Sequence, residues 1–379
     1  MHSANSSKEN ISSSNPRSPR VRFQIILILA MLALIVAGIF FIRYEAKHQI
    51  AGLSRKPQLT LSGDSTVTLY PGDKFQDMGY EAKSFTGKDL TSQVKTSATL
   101  DNFREDGTMW LATNGKIKYT ITDGGNIITK TRTIQTKYHK PNKDSKTYGH
   151  GIAVCMFHNV YDPENPPTDL NTNFISTDDL EAILKRLIRD DYYFPTWQEL
   201  RDYIDGKIEL PTKSVVLTFD DCAKGFQQYG IPLLEKYNVR ATSFVICAKN
   251  GKEVLKKFKD VKHINFQSHS YNMHRPGGNI GHGGIFPALT QEEGVEDLKK
   301  SIEMLGSGEA FAYPFGDYTE TCEAAVKEAG FLCAFTTEYG MVHPGDDPYL
   351  LSRIRINGGT TADDFIKAIT ESSDSESDS

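Results

Sequence analysis

The sequence predicts an incomplete, distorted parallel α/β barrel, preceded by a small all-β sandwich and one N-terminal transmembrane helix. Three observations in the 379-residue chain predict this class. An uncharged apolar run of 20 residues near the start is long enough to cross a bilayer. Short alternating segments bounded by turn residues then fill about 80 residues. From Gly151 onward, strands alternate with helical patterns, which is typical of βα units and a parallel sheet.

The apolar run covers residues 23–42 and follows a Ser-, Asn- and Arg-rich segment, residues 1–22, which we expect to be a disordered cytoplasmic tail. Four basic residues precede the run against one acid, Glu9, so the positive-inside rule leaves the C-terminal domains extracytoplasmic. A cleaved signal peptide is the alternative. Its apolar region is usually about 7–15 residues long and ends in small residues, whereas this run ends in bulky ones. We therefore predict a single-pass anchor in the cell membrane.

Residues 57–137 are predicted to form an antiparallel sandwich of short strands, with a hairpin at residues 123–126, where glycine supplies the positive φ of a tight turn. The segment resembles the bacterial immunoglobulin-like domains found as spacers on surface proteins. The opening PQLTLSG, the turn at residues 71–73 and the sequence GKDLT at residues 87–91 carry that resemblance. The segment has no cluster of His, Cys and carboxylates, so a spacer is favoured over a carbohydrate-binding module.

A polar linker, residues 138–150, leads into the predicted barrel, residues 150–370. Ser176 is a plausible N-cap for a helix with an apolar stripe beginning at Leu180. The later strands and helices alternate as VVLTF, IPLLEKYNV, ATSFVI, EEGVEDLKKSIEML, FAYPF, TETCEAAVKEAG, CAFTT, RIRI and TADDFIKAI. In such barrels the chemistry lies at the C-terminal ends of the strands.

Composition excludes several classes of protein. The net charge is −5, and the last nine residues, 371–379, form a predicted acidic disordered tail with four acids, so the rest of the chain is nearly neutral and we expect no nucleic-acid partner. Five scattered cysteines without a C-x-x-C pair do not suggest a disulfide scaffold or structural zinc. Their odd number leaves at least one thiol free or paired between chains. Protein partners and oligomeric state cannot be predicted.

Two segments bring together residue types that bind metals. Asp220 and Asp221 end the apolar strand VVLTF, where adjacent side chains diverge, so one can bind a metal while the other acts as a base. His269 and His274 lie in the segment SHSYNMH. Taken separately, an Asp pair more often begins a turn, and two histidines in a polar loop are more often solvated. Together with Asp221, the histidines would form a two-His, one-carboxylate set that leaves open positions for water and substrate.

A third segment, YPFG at residues 313–316, completes a pattern. TFDD, HSYNMH and YPFG occur in this order, with ATSFVI after the first, and together they resemble the polysaccharide deacetylases of the NodB-homology family over residues 150–370. The resemblance implies metal-dependent removal of acetyl groups from N-acetylglucosamine polymers on an incomplete barrel. Two His and a carboxylate admit Zn, with Co, Mn, Ni or Fe as alternatives. The implied roles are Asp220 as general base, Asp221, His269 and His274 as metal ligands, and Tyr313, Pro314 and Phe315 at the substrate, with a backbone N–H near Phe315 holding the oxyanion.

Three departures from the family pattern bear on mechanism. Ala312 stands where the family has an arginine, so a different partner must orient the base. The late segment LLSRIRI, residues 350–356, lacks the histidine that usually serves as the acid. Cys222 replaces the glycine that follows the Asp pair. A late metal ligand or a reactive thiol are possible readings of Cys222, but a small packed residue is the favoured one.

His158, after the apolar strand IAVCMF, is the predicted replacement acid. The subgroup that acts on poly-N-acetylglucosamine exopolysaccharides is similar, with an early histidine of this kind, an aromatic-Pro-aromatic-Gly motif without arginine, and a late RIRI-like strand. His343 is the alternative acid, and His282, in a glycine-rich loop, is expected to be solvated. The substrate is predicted to be that exopolysaccharide or peptidoglycan. The competing hypothesis is a carbohydrate-binding pseudoenzyme on the same fold.

Overall fold

The structure, a computed structural model, describes residues 19–52, 56–98, 103, 107–109 and 114–371. Most of the predicted cytoplasmic tail, and the acidic tail from residue 372, lie outside the described residues. The first helix, α1 (Pro19–Gly52), contains the apolar run. Its segment Ile26–Glu45 is long and apolar enough to cross a membrane, with none of it buried in the protein. A signal sequence near an N-terminus has the same properties.

Short strands follow α1, as the alternating pattern predicted. They are β1 (Gln58–Leu61), β2 (Thr66–Leu69), β3 (Tyr80–Lys83), β4 (Lys95–Ala98), β5 (Gly115–Asp123) and β6 (Asn126–Thr136). β1 pairs with β3, and a four-stranded sheet has the order β2-β6-β5-β4. Gly124 and Gly125 join β5 to β6 with φ of 54° and 79°, as predicted for the hairpin.

One pairing in this region departs from the antiparallel prediction. β2 runs parallel to β6, with Thr66 opposite Thr133 and Leu69 opposite Thr136. Parallel neighbours need a long crossover connection, and the intervening strands β3, β4 and β5 supply one here. Alternation within a short strand does not reveal the direction of its partner.

The strands of the following region are β7 (Ala153–Phe157), β8 (Asn159–Tyr161), β9 (Phe174–Ser176), β10 (Val215–Phe219), β11 (Ala241–Val245), β12 (Ile264–Ser268), β13 (Ala310–Ala312), β14 (Cys333–Tyr339) and β15 (Leu351–Arg355). β8 and β9 form a separate two-stranded sheet. The other seven form a closed parallel barrel, because β7 pairs with both β10 and β15. Seven strands are one fewer than in the complete eight-stranded barrel, so the predicted incomplete α/β barrel is confirmed.

Helices lie between the barrel strands and after the last of them. They are α2 (Thr177–Arg189), α3 (Trp197–Ile204), α4 (Ile231–Lys236), α5 (Cys247–Lys257), α6 (Gln291–Leu305), α7 (Glu320–Ala329) and α8 (Ala362–Glu371). The predicted cap is present, since Ser176 accepts a hydrogen bond from the backbone N–H of Asp179. The apolar stripe of α2 is buried from Leu180 to Leu187. Residues with a 3.6-residue period therefore cover a sheet whose strands β7, β10 and β11 are buried along their whole length.

Candidate metal centre and active site

The predicted site residues come together at one end of the barrel. Asp220 and Asp221 follow β10, His269 follows β12, and His158 follows β7. The carboxyl ends of parallel barrel strands lie on the same face, which explains why residues so distant in sequence meet. One open cleft is lined by residues from all of these strand ends, among them His158, Asp220, Asp221, His269, His274 and Phe315.

Asp221, His269 and His274 form a set that fits a metal ion. One potential ligand atom from each lies within 4.8 Å of the other two. Asp221 Oδ1 is 3.5 Å from His269 Nε2 and 3.3 Å from His274 Nε2. This carboxylate oxygen is buried and has no hydrogen-bond partner. A buried oxygen without a donor needs an explanation, and a divalent cation shared with the two imidazoles supplies one.

A backbone carbonyl orients the buried side chain of His269, one of the predicted ligands. The Nδ1 of this ring lies 2.7 Å from the carbonyl oxygen of Ala312, which can only accept, so Nδ1 carries the proton. The lone pair of Nε2 is then free to bind a metal. Burial lowers the pKa of His269, although the carboxylates of Asp220 and Asp221 oppose that shift. The neutral imidazole that metal binding requires is therefore favoured.

His274 is held by the turn that follows β13. Its ring stacks on Phe315, with ring centroids 4.4 Å apart. Phe315 has a φ of 63°, a left-handed conformation that costs energy in a residue other than glycine. The next residue must be glycine, because a Cβ on Gly316 would lie 2.1 Å from Thr337 Oγ1. The strained turn thus fixes an aromatic ring against a predicted metal ligand.

The residues of the predicted oxyanion segment, 313–315, differ in whether their backbone N–H is available to a substrate. Tyr313 donates its backbone N–H to the carbonyl of Phe335 at 3.0 Å, so that amide belongs to the sheet. Pro314 has no N–H. The Tyr313 ring packs against Phe311 and Phe286 and lies at the lining of the cleft, where the residue was predicted. Phe315 is then the residue of this segment whose amide stays a candidate donor.

Arg353 on β15 is the partner of the predicted base. Its Nη1 and Nη2 donate to Asp220 Oδ1 and Oδ2, each at 2.8 Å, while its Nε donates to the carbonyl of Thr336. Both side chains are buried. Burial alone would raise the pKa of Asp220, but the arginine holds that pKa well below its usual range. Asp220 is therefore ionised and oriented.

Sequence reasoning missed Arg353. The absence of an arginine at position 312 correctly required a different partner, and that partner lies in the late segment RIRI. This segment contains two arginines and no histidine, and only the lack of a histidine entered the predicted mechanism. The available signal was an arginine in the middle of a late strand, LSRIR, in a chain that lacks the arginine at position 312.

His158 lines the cleft beside the two aspartates. Burial lowers its pKa, while Asp220 and Asp221 oppose the shift. The ring is therefore neutral near pH 7 and must gain a proton before it can donate one. The alternative acid, His343, lies elsewhere: the preceding Val342 pairs with Ile152, just before β7 begins, at the opposite end of the barrel from the cleft.

Cys222 is a small packed residue, as predicted. Its side chain is buried in a small apolar cluster with Val245 and Val254, outside the metal-binding set. Burial raises the pKa of its thiol to about 11. Its φ of 47° is the left-handed conformation that a glycine would adopt without strain. All five cysteines are free and buried.

Asp297 on α6 was also missed, and it holds the loop that carries both predicted histidine ligands. Its Oδ1 and Oδ2 accept the backbone N–H groups of Tyr271 and Asn272, at 2.7 and 2.8 Å. These two amides lie between His269 and His274 in the chain. One carboxylate thus fixes the spacing of the two ligands.

Replacing Asp297 with Asn leaves one acceptor oxygen for two backbone donors. Because mutations of such supporting groups typically cost about 10–100-fold in metal affinity, we expect Asp297→Asn to weaken zinc binding to that extent. Competition for zinc with a chromophoric chelator measures the change. Glu296→Gln is the matched control, since the neighbouring Glu296 bonds only Lys300 on the exposed helix face. Equal zinc affinities of wild type and Asp297→Asn would contradict the prediction.

Comparison with known proteins agrees with this geometry. Residues 207–334 match the polysaccharide deacetylase family, and residues 59–136 match the bacterial surface protein Ig-like domain. A poly-beta-1,6-N-acetyl-D-glucosamine N-deacetylase of Staphylococcus aureus is 27% identical over 201 residues, covering 48% of this chain and 68% of that protein. The Staphylococcus epidermidis protein of the same name is 27% identical over 249 residues, covering 59% and 85%. The solved structure of IcaB from Ammonifex degensii has a TM-score of 0.50 and 25% identity, covering 59% and 98%.

The fold, the site and these matches define the class: the chain carries a polysaccharide deacetylase domain after a bacterial Ig-like domain. Within that class it is similar to the poly-N-acetylglucosamine N-deacetylases, which confirms the predicted subgroup. His158 and Arg353 lie outside the segment that matches the family, residues 207–334. Their assignment therefore depends on the barrel geometry.

Proposed function

We propose that this chain is a metal-dependent hydrolase that removes N-acetyl groups from the N-acetylglucosamine units of poly-β-1,6-N-acetylglucosamine, a cell-surface exopolysaccharide. The observation that carries the proposal is the ionised Asp220, clamped by Arg353, beside the Asp221, His269 and His274 set. The names of the staphylococcal relatives favour this polymer over peptidoglycan, which is the alternative substrate.

The proposed mechanism assigns one task to each residue. Asp221, His269 and His274 would hold a divalent metal, zinc with Co, Mn, Ni or Fe as alternatives, which when bound polarises the acetyl carbonyl and acidifies water. Asp220 takes the proton of the attacking water, and the Arg353 fork keeps both its oxygens in place. The amide of Phe315 donates to the developing oxyanion. His158 takes up a proton from solvent and gives it to the leaving amine, because an amide nitrogen is a poor leaving group.

We further propose how the chain is arranged at the cell surface. Residues 23–42 cross the membrane once, residues 57–137 form an Ig-like spacer, and residues 150–370 form the deacetylase domain outside the cytoplasm. The apolar helix and the basic residues before it support an anchor. Removal of acetyl groups would expose amines and make the polymer more cationic.

Acetate release tests the function. The full chain in mild detergent is given β-1,6 and β-1,4 N-acetylglucosamine oligomers and peptidoglycan, with zinc or with a chelator. We expect chelator-sensitive release, fastest from the β-1,6 oligomers, and a loss of about 10²–10⁴-fold in His158→Ala, because the amine leaves without general acid catalysis. His343→Ala is the control and should keep wild-type activity. Zinc binding without acetate release from any polymer would support the carbohydrate-binding pseudoenzyme instead.

A further inference from the structure

A glycine-rich loop, residues 276–285, follows the metal ligand His274 and is closed by its own backbone hydrogen bonds. Gly277 and Gly278 both donate to the carbonyl of Gly283 at 3.0 Å, and Ile285 donates to the carbonyl of Arg275. A Cβ on Gly278 would lie 1.9 Å from the carbonyl oxygen of Gly284. The two sides of the loop therefore approach more closely than any other residue would permit.

Asp317 clasps this loop. Only 5% of its surface is exposed, and its Oδ1 and Oδ2 accept the backbone N–H groups of His282 and Gly284 at 2.8 and 2.9 Å. Gly281 is required here, because its Cβ would lie 2.0 Å from Asp317 Oδ1. Asp317 comes two residues after Phe315. The turn that places Phe315 against His274 therefore also supplies the acid that holds the loop.

The clasped loop presents His282 to the cleft. The imidazole lines the same cleft as His158 and the metal-binding set, yet it does not belong to that set. It is exposed, and the proposed mechanism gives it no task. The backbone of Gly284 packs so closely on Phe315 that a Cβ there would lie 2.8 Å from the ring. The backbone at His282 is thus held in place, and its imidazole lies on the wall of the cleft.

We infer that His282 is a specificity-determining residue that hydrogen-bonds the polysaccharide outside its reacting acetamido group. This inference rests on the proposed function. A neutral imidazole offers one donor and one acceptor, which match the hydroxyl and acetamido groups of a hexosamine polymer. Because the loop backbone is already held in place before the substrate binds, little conformational entropy is lost when the contact forms. Asp317 is the positioning residue that keeps His282 in place.

Steady-state kinetics on two substrates test the inference. For a pentamer of β-1,6-linked N-acetylglucosamine, we expect His282→Ala to raise KM by about tenfold, the value of one lost hydrogen bond, while kcat stays within about twofold. Hydrolysis of 4-nitrophenyl acetate, which has no sugar to contact, should be unchanged, as should zinc content. His282→Gln, which keeps a donor and an acceptor, should recover part of the affinity. Asp317→Asn should also raise KM for the pentamer, because one backbone N–H of the loop loses its acceptor.

His343→Ala, at the opposite end of the barrel, is the matched histidine control and should behave like wild type. An unchanged KM for the pentamer in His282→Ala would overturn the inference. So would an equal loss of pentamer and ester hydrolysis, which would place His282 in the catalytic machinery. If the wild type hydrolyses the ester but releases no acetate from any polymer, the proposed function fails, and that failure is seen before any variant is made.

Discussion

Asp220→Asn is expected to lower kcat for acetate release by about 10²–10⁴-fold, the usual contribution of a positioned general base. The substitution keeps the shape of the side chain and removes its basicity. Asp220 is not among the three predicted metal ligands, so zinc content should stay at the wild-type level. Acetate release from a β-1,6 oligomer, measured together with bound zinc, checks the expectation.

The control for this variant is Asp221→Asn, which should lose zinc as well as activity, because Asp221 Oδ1 faces both histidine ligands. The two adjacent carboxylates are thereby assigned separate roles. Activity of Asp220→Asn within tenfold of wild type, at full zinc content, would show that another group takes the proton. Both assays are run at 25 °C with a check of folding, since Asp220→Asn also leaves a buried arginine without its counter-charge.

Arg353→Met is expected to lower the free energy of unfolding at pH 7 by about 3–5 kcal/mol, because breaking a buried ion pair leaves an uncompensated charge. In the wild type, the pKa of Asp220 is held below its ordinary value of 3.8, so the pair stabilises the fold above that pH and loses this contribution as the pH falls through the lowered pKa. In the variant, burial without the arginine raises the pKa of Asp220. The carboxylate then destabilises the fold as the pH rises above the pKa that Asp220 has in the unfolded chain.

The difference in unfolding free energy between wild type and Arg353→Met should therefore grow from about pH 4 to pH 7. Urea unfolding at several pH values measures it. The double variant Asp220→Asn/Arg353→Met has neither charge and should recover much of the lost stability, which makes it the control. A difference that is the same at every pH would mean that Arg353 acts by packing alone. The free energy of unfolding of Arg353→Lys should lie between those of wild type and Arg353→Met, since an ammonium cannot reproduce the bidentate contact of the guanidinium with the carboxylate.

The predicted and the missed features of the site differ in how far apart their residues lie in the chain. The proximity of Asp221, His269 and His274 could be predicted because each ends a strand or lies in a recognisable motif. Arg353 contacts Asp220 across 133 positions, and no local pattern reveals which residue of a late strand faces which residue of an early one. The parallel pairing of β2 with β6 was missed for the same reason.

Backbone conformation was the second feature of the site that could not be predicted from the sequence. Asp221, Cys222, Ser270 and Phe315 are four of the six residues other than glycine that have positive φ in the described chain. All four lie in the segments that carry the site, and their side chains give no warning of left-handed backbone. Strain of this kind costs roughly 1–3 kcal/mol per residue and persists only where the surrounding packing fixes it. Local preferences therefore fail at the site and hold in helices such as α2.

The pairing of the first barrel strand with the last determines how late during synthesis the site of a newly made chain can be completed. The first barrel strand, β7, and the last, β15, pair with each other, and Arg353 lies on the last. A ribosome has completed nearly all of the domain before that strand exists. Until then Asp220 has no counter-charge, and the barrel has two open edges. Contacts of such long range also slow folding. The proposed activity would consequently appear late in biogenesis, and truncation of the chain before residue 351 would open the barrel and remove the partner of the proposed base in one step.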